Sequence, residues 1–315
     1  MHQRRTKFAR RVAHAANVIE RRGVRATYAL HDRLLANRVA RRKYGRDGGS
    51  LDDTQAALLE RLRRDGFATI PMAELVGDER WAELSTAAEA FVAETEEGLR
   101  REAAGEESGL RRTAAKDFVV RKNAWGVELG ADDPWLRVGL EPAFLDLANA
   151  YLGLWAKLEY VDLWYTPPTA VEDRRASQRW HRDFNDRHLL KGFLYLLDVD
   201  AEAGPFEYVP GSFPGGPLGD LWPWAPGGKE AYPPQEEFDR RLADARIETF
   251  AAPRGTLILC NTAGFHRGGF ARSRPRALAT WTFASPAALK ALSERNYAFT
   301  GDRAALPAAA RFAVS

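Results

Sequence analysis

Residues 178–185 read Gln-Arg-Trp-His-Arg-Asp-Phe-Asn, QRWHRDFN, and place His181 and Asp183 one residue apart between two large aromatic side chains. On an extended chain, residues i and i+2 point to the same side, so the imidazole and the carboxylate share a face while Trp180 and Arg182 take the other. A neutral imidazole beside a carboxylate makes a chelate for a divalent first-row metal. A plain His–Asp hydrogen bond at a strand end is the alternative reading. Two ligands hold a catalytic metal poorly, so the metal reading requires a third from another strand.

The chain has six histidines: His2, His14, His31, His181, His188 and His266. The first three lie in an Arg-rich N-terminal arm, where exposure to solvent is the natural expectation. His266 directly follows an apolar stretch, GTLILCNTAGFHRGG, that reads as a buried strand and its turn. On a second strand facing the same interior it completes a 2-His-1-carboxylate set with His181 and Asp183. That arrangement leaves coordination positions open and is diagnostic of non-haem Fe(II) oxygenases; otherwise His266 is a turn histidine. Ten residues on, in RSRPRALATWTF, stands Arg276, on one strand face with Leu278 and Thr280. A guanidinium there can grip a carboxylate with two parallel hydrogen bonds, which a lysine cannot. Arg274 has the same parity but is cut off from the strand by Pro275, and Arg272 falls in the turn, so Arg276 is preferred over Arg274.

The 315 residues, 45% hydrophobic and 28% charged, suit a globular protein with a sizeable core. The lone cysteine, Cys260, excludes an intramolecular disulfide and fits a reducing compartment, so a cytoplasmic location is expected. No apolar run approaches the ~20 residues needed to cross a bilayer. The Arg-rich start lacks the apolar stretch of a secretory signal, though its composition is compatible with a mitochondrial transit peptide. The net charge of +3 is unevenly spread: residues 1–45 hold 13 Lys/Arg against Glu20 and Asp32, a surplus of 11, which leaves the remainder at −8. A basic arm of this kind suits an ordinary solvated or self-docked helix, with an anionic membrane surface as the alternative. Without interleaved aromatics or a recognisable module, nucleic acid is not expected.

Phe8, Val12, Ala15 and Ile19, then Leu30, Leu34 and Val39, recur at helical spacing, with Gly23 between the two segments. The linker GRDGGS (45–50) divides a basic helical arm, 1–50, from the main domain, 51–315. Asp52 or Asp53 can cap a helix ending near Gly66. FATIP (67–71) reads as a strand, Asp78–Arg101 as a helix, 102–114 as a loop, Ala143–Leu152 as a helix and 157–168 as a strand. Short strands are then expected over 178–183, 191–198, 206–210, 247–251, 255–260 and 277–284. The Pro/Gly/Trp-rich insert 211–238 carries Trp222 and Trp224, which either pack on the body or line a pocket. Helices followed by many short strands indicate an α+β protein with an antiparallel sandwich or barrel.

From SQRWHRD through GFLYLLDVDAEAGPFEYVPGSF to HRGGFARSRPRALATWTF, the chain resembles the phytanoyl-CoA dioxygenase-like family of Fe(II)/2-oxoglutarate-dependent oxygenases. The resemblance covers residues 157–284, some 40% of the chain. It implies a double-stranded β-helix (jelly-roll, cupin-like) core with flanking helices, with His181, Asp183 and His266 as iron ligands and Arg276 on the distal carboxylate of 2-oxoglutarate. It further implies O2 as the co-reactant and hydroxylation of an unactivated C–H of a small-molecule substrate. Many relatives carry a hydroxyl residue two positions after the distal histidine, where this chain has Gly268, so a second donor must come from elsewhere, such as Thr280. Halogenating relatives have Ala or Gly at the position of Asp183, so a carboxylate there argues for hydroxylation. Gln178, Lys191 and Tyr165 are candidates for the proximal carboxylate or its surroundings. Asn185, Arg187 and His188 either face substrate or form a polar surface loop. For Cys260, next to Asn261, core packing is expected. Rivals are a cupin-like metal isomerase or a zinc hydrolase using the same three ligands, neither of which needs Arg276, and a non-catalytic sugar- or lipid-binding sandwich, which metal-free protein without 2-oxoglutarate binding would favour. Substrate identity and oligomeric state are not fixed by these residues.

Overall fold

The computed structural model describes residues 27–113, 116–123, 126–170, 173–224, 231–288 and 295–315. Within these the strands are β1 (Phe67–Pro71), β2 (Val120–Arg121), β3 (Val127–Leu129), β4 (Lys157–Thr166), β5 (Leu189–Tyr195), β6 (Phe206–Tyr208), β7 (Glu248–Phe250), β8 (Thr256–Cys260), β9 (His266–Gly268), β10 (Arg276–Ala284) and β11 (Tyr297–Phe299). Six of them form one antiparallel sheet in the order β1-β8-β5-β10-β4-β2, and three form a second in the order β7-β6-β9. β3 and β11 pair in parallel.

Alternation along the central strands divides the interior into two layers. Leu190 and Leu194 of β5, Leu257 and Leu259 of β8, and Ala277, Ala279 and Trp281 of β10 belong to a core shared with the helices. Phe193, Tyr195, Ile258, Cys260 and Leu278, at the intervening positions, pack instead with Phe206, Tyr208 and Phe250 of the small sheet. Both faces are covered, so these strands read as nearly continuous apolar runs rather than as an apolar–polar alternation.

The helical layer follows local sequence rules. Asp52 caps the helix Asp53–Asp65 by accepting from the Gln55 amide at 2.7 Å, and the Gln55 side chain returns a bond to the Asp52 amide. Gly66 ends that helix with φ +84°, a conformation glycine adopts without strain, and β1 begins at the next residue. The helix Asp78–Ala103 buries Leu84, Ala88, Phe91 and Thr95, and the helix Pro142–Leu152 lays Phe144 against Trp281 and Phe283. No described helix is long and apolar enough to cross a membrane.

Of the basic arm, the heptad-like pattern Phe8–Ile19 and Gly23 lie outside the described residues. Residues 28–47 form two helices, Tyr28–Leu34 and Ala36–Asp47. Their inner side is fixed to the body: the Tyr28 hydroxyl donates to Asp186 at 2.5 Å, Asn37 donates to Ser285 at 3.0 Å and accepts from the Ala287 amide, and Ala40 is buried.

The strand expected over 178–183 is not formed. A short 3-10 turn, Ala176–Gln178, is followed by a single bridge between His181 and His266. The reason is that successive amides turn to opposite neighbours. His181 and Asp183 donate to the carbonyls of His266 and Thr262, whereas Trp180 and Arg182 donate to Gln235 Oε1 and the Ala231 carbonyl in the insert.

The large sheet also encloses a charged network. Asp162 on β4 is fully buried and accepts from Arg121 Nε (2.7 Å), the Asn123 and Leu163 amides, the Tyr160 hydroxyl and Trp164 Nε1. Burial nonetheless pushes its carboxyl upward, against the pull of Arg121 and the amides. Removing one partner of a buried pair strands the other charge. Arg121→Met is therefore expected to lower unfolding stability by about 3–5 kcal/mol, read from the midpoint and slope of urea denaturation.

Candidate metal and anion site

His181 sits where the segment after the 3-10 turn meets the first residue of β9, which is His266. The two residues exchange both backbone hydrogen bonds, at 3.1 and 2.9 Å, and their rings lie 4.2 Å apart between centroids. Each ring is oriented by the backbone two residues earlier, with His181 Nδ1 2.8 Å from the Arg179 carbonyl and His266 Nδ1 3.0 Å from the Gly264 carbonyl. A ring that donates through Nδ1 keeps Nε2 as its free ligand atom, the tautomer a metal requires. One ligand atom from each of His181, Asp183 and His266 lies within 4.8 Å of the other two. Burial drives both imidazoles towards the neutral form: His181 falls well below its ordinary value, with His266 adding to the effect, and His266 is pushed down to about 4. Burial acts on Asp183 in the opposite sense, but Lys191 Nζ at 2.6 Å and the two histidines outweigh it and hold the carboxyl well below the usual carboxylate range. Two neutral imidazoles and one carboxylate converge in the form that binds a divalent cation.

These groups open into a cavity between the two sheets. Trp164 and Thr166 of β4, Phe193 of β5, Phe206 of β6, Gly268 of β9 and Arg276 and Leu278 of β10 line it, together with Lys116, Gln178 and Lys191. Arg276 is buried, and its Nε and Nη1 have no hydrogen-bond partner among the described residues. Burial lowers its affinity for the proton, as expected of a cation taken out of water without a counter-charge. Gly268 permits this placement, since a Cβ at that position would stand 3.1 Å from Arg276 Nη2. Three cationic side chains (Lys116, Lys191 and Arg276) face the cavity against one carboxylate, Asp183, a formal surplus of two positive charges.

The remaining sequence candidates separate cleanly. Arg274 is half exposed and pairs with Asp200 at 2.5 Å, away from the cavity. Gln178 is on the cavity wall, and its Oε1 accepts from the Arg175 amide at 3.2 Å. Thr280 is buried in β10, level with Phe193, and does not contribute to the wall. Tyr165 is a correction: it occupies the opposite face of β4, in the helical layer, where its hydroxyl donates to Glu96 at 3.1 Å. The β4 positions that do reach the site are its neighbours Trp164 and Thr166, because these pair with Leu278 and Arg276. His188 pairs with Asp32 at 3.0 Å, and Cys260 is buried in the inter-sheet core. Trp222 packs on a cluster with Phe238 and Phe265, while Trp224 donates to the Asp183 carbonyl at 3.2 Å and lies tilted against the Tyr28 ring.

Sequence reasoning missed Lys116, whose ammonium lies 4.5 Å over the Trp164 ring, and Tyr232, whose ring stacks on His181 at 5.0 Å and 7°. Neither has a spacing signal, since both come from irregular segments brought in by the tertiary fold.

No protein-family model and no curated protein matches the chain. Solved structures do. EctD from S. alaskensis with 2-oxoglutarate and 5-hydroxyectoine is 18% identical, with a TM-score of 0.54 over 84% of this chain and 90% of that one. The non-haem α-ketoglutarate-dependent carbocyclase SnoK from nogalamycin biosynthesis is also 18% identical, with a TM-score of 0.51 over 75% of this chain and 85% of that one. The chain shares their fold. EctD has also been solved with bound Fe.

The ligand geometry makes a direct prediction. His181→Ala or His266→Ala should weaken Fe(II) binding more than 100-fold, beyond the 10–100-fold typical of losing an outer contact. The melting temperature should remain close to that of the parent. Metal affinity by chelator competition, beside a thermal melt, reads both.

Proposed function

We propose that this protein is an Fe(II)- and 2-oxoglutarate-dependent dioxygenase of the phytanoyl-CoA dioxygenase-like type, built on a double-stranded β-helix, that hydroxylates an unactivated C–H of a small-molecule substrate. The observation that carries this reading is the buried, partly unpartnered guanidinium of Arg276 in the same cavity as the converging His181, Asp183 and His266. A cation buried without an anion is costly, and a carboxylate ligand removes that cost with two charge-assisted hydrogen bonds. The cavity's surplus positive charge, to which a divalent metal would add two, favours a dianion over a neutral cosubstrate. The resemblance of QRWHRD and HRGGFARSRPR to the family's motifs and the fold shared with 2-oxoglutarate-dependent enzymes point the same way. A metal isomerase or hydrolase using the same three ligands does not need Arg276.

In this reading each residue has one task. His181, Asp183 and His266 hold iron, and Lys191 keeps Asp183 ionised and fixed. Arg276 holds the far carboxylate of 2-oxoglutarate, and Gln178 stands on the cavity wall to receive its nearer end. Phe193, Phe206 and Leu278 keep water from the space between. Iron, 2-oxoglutarate and O2 together supply oxidation of the substrate C–H with release of succinate and CO2.

Anaerobic addition of Fe(II) and 2-oxoglutarate should produce the weak visible charge-transfer band of the chelate. Arg276→Gln is expected to weaken 2-oxoglutarate binding by about a hundredfold to a few thousandfold, corresponding to about 3–5 kcal/mol, with Fe(II) affinity nearly unchanged. Arg276→Lys should recover only part, and Arg274→Gln should behave as the parent. Absence of the band in the parent, or undiminished binding in Arg276→Gln, would refute the assignment.

Asp183 gives an independent check. Asp183→Gly should abolish hydroxylation yet leave a two-histidine site that binds Fe(II) and 2-oxoglutarate weakly. Hydroxylation at the parental rate in this variant would show that Asp183 is not a ligand.

A further inference from the structure

Exposed large apolar side chains are concentrated in one place. Among the described residues six are exposed, and four of these, Leu30, Leu34, Leu35 and Val39, fall within ten residues of the N-terminal helix pair. Single exposed leucines are ordinary, but a cluster calls for something to cover it. Leu30 and Leu34 stand one turn apart on the helix Tyr28–Leu34, and Leu35 and Val39 are likewise four residues apart across the junction with Ala36–Asp47. Arg33, Arg38 and Arg42 are exposed on the same two helices, and none pairs with a carboxylate among the described residues. The opposite side is held by Tyr28, Asn37 and Ala40, so the helices cannot turn the apolar residues inward without breaking those contacts.

Charge decides between possible occupants. The preceding 26 residues carry eight Lys/Arg against Glu20 alone, so laying them on this surface sets like charge on like. A second copy would oppose the same arginines to themselves. A nucleic acid would meet the arginines but has no use for three leucines and a valine. An anionic lipid surface satisfies both features, and the further basic residues upstream strengthen it.

We propose that residues 28–47 dock this protein on an anionic membrane surface. Leu30, Leu34, Leu35 and Val39 enter the boundary between headgroups and acyl chains, and Arg33, Arg38 and Arg42 meet the lipid phosphates.

The test is co-sedimentation of the full chain with phosphatidylglycerol/phosphatidylcholine vesicles and with phosphatidylcholine vesicles alone. Binding is expected only to the anionic vesicles and should weaken as salt is raised. Leu34→Ser/Leu35→Ser should reduce it more than tenfold, and Arg38→Gln/Arg42→Gln by about fivefold per arginine. Melting temperatures should be unchanged, since all four side chains are exposed. No preference for anionic vesicles in the parent overturns the proposal. So does undiminished binding in the leucine variant, which moves the contact to residues 1–26. A concentration-dependent dimer abolished by the leucine substitutions, or displacement from vesicles by duplex DNA, overturns it in favour of a second copy or a nucleic acid.

Discussion

The site depends on one pair of backbone hydrogen bonds, the reciprocal exchange between His181 and His266. These residues are 85 positions apart, and their side chains can meet only if the main chain brings them to the same level of one sheet. A narrowly spaced antiparallel bridge fixes level and facing together, which no side-chain contact could do as firmly. The further bond from the Asp183 amide to the Thr262 carbonyl keeps the next inward-pointing residue in step. The insert secures the other edge, with Arg182 donating to the carbonyls of Ser212 and Trp222 at 2.6 and 2.7 Å from the position between the two ligands. The motif is thus held by its outward residues so that its inward residues remain free.

That division explains why the site tolerates strongly opposed charges. Burial pushes the histidines towards neutrality and would push Asp183 towards protonation, yet Lys191 reverses the second effect while adding to the first at His266. Arg276 receives no such compensation from the chain. A fold selected for stability alone would pair or expose this guanidinium. Left buried beside Gly268, where a Cβ would crowd its Nη2 at 3.1 Å, it keeps hydrogen bonds available to a group outside the chain.

The sequence carried the parts of this arrangement that rest on local rules. The capped helix ending at Gly66, the long helix from Asp78 and the strands β4, β5, β6, β7, β8 and β10 follow from capping residues, periodicity and β-branched content, and they fall within a few residues of their expected bounds. The triad could be read because His-x-Asp and a distant histidine after an apolar strand are rare in combination. What could not be read depends on register. Tyr165 and Trp164 are equally plausible from the sequence, and only the pairing of Trp164 with Leu278 decides which faces the cavity. Residues 178–183 have the composition of a strand, but the amides of Trp180 and Arg182 are taken by Gln235 and Ala231, partners some fifty residues away. Lys116 and Tyr232 enter from irregular segments, where neither periodicity nor propensity marks a residue as inward-facing.

The N-terminal helix pair joins the loop after Asp183 by the same economy of shared residues. The Tyr28 hydroxyl donates to Asp186 and accepts from the Arg187 amide, and its ring lies 5.5 Å from that of Trp224, whose indole donates to the Asp183 carbonyl. Asp186 in turn accepts from the amides of His188 and Ser285, closing the loop that begins at Asp183. A carboxylate this deeply buried is stable only with such a set of donors, and burial still raises its affinity for a proton despite them. The helix pair therefore supplies one donor to the network that shapes the loop after Asp183 while presenting its leucines and arginines to the outside. Its inner face belongs to the loop's support and its outer face to the protein's surroundings, and the same two short helices carry both.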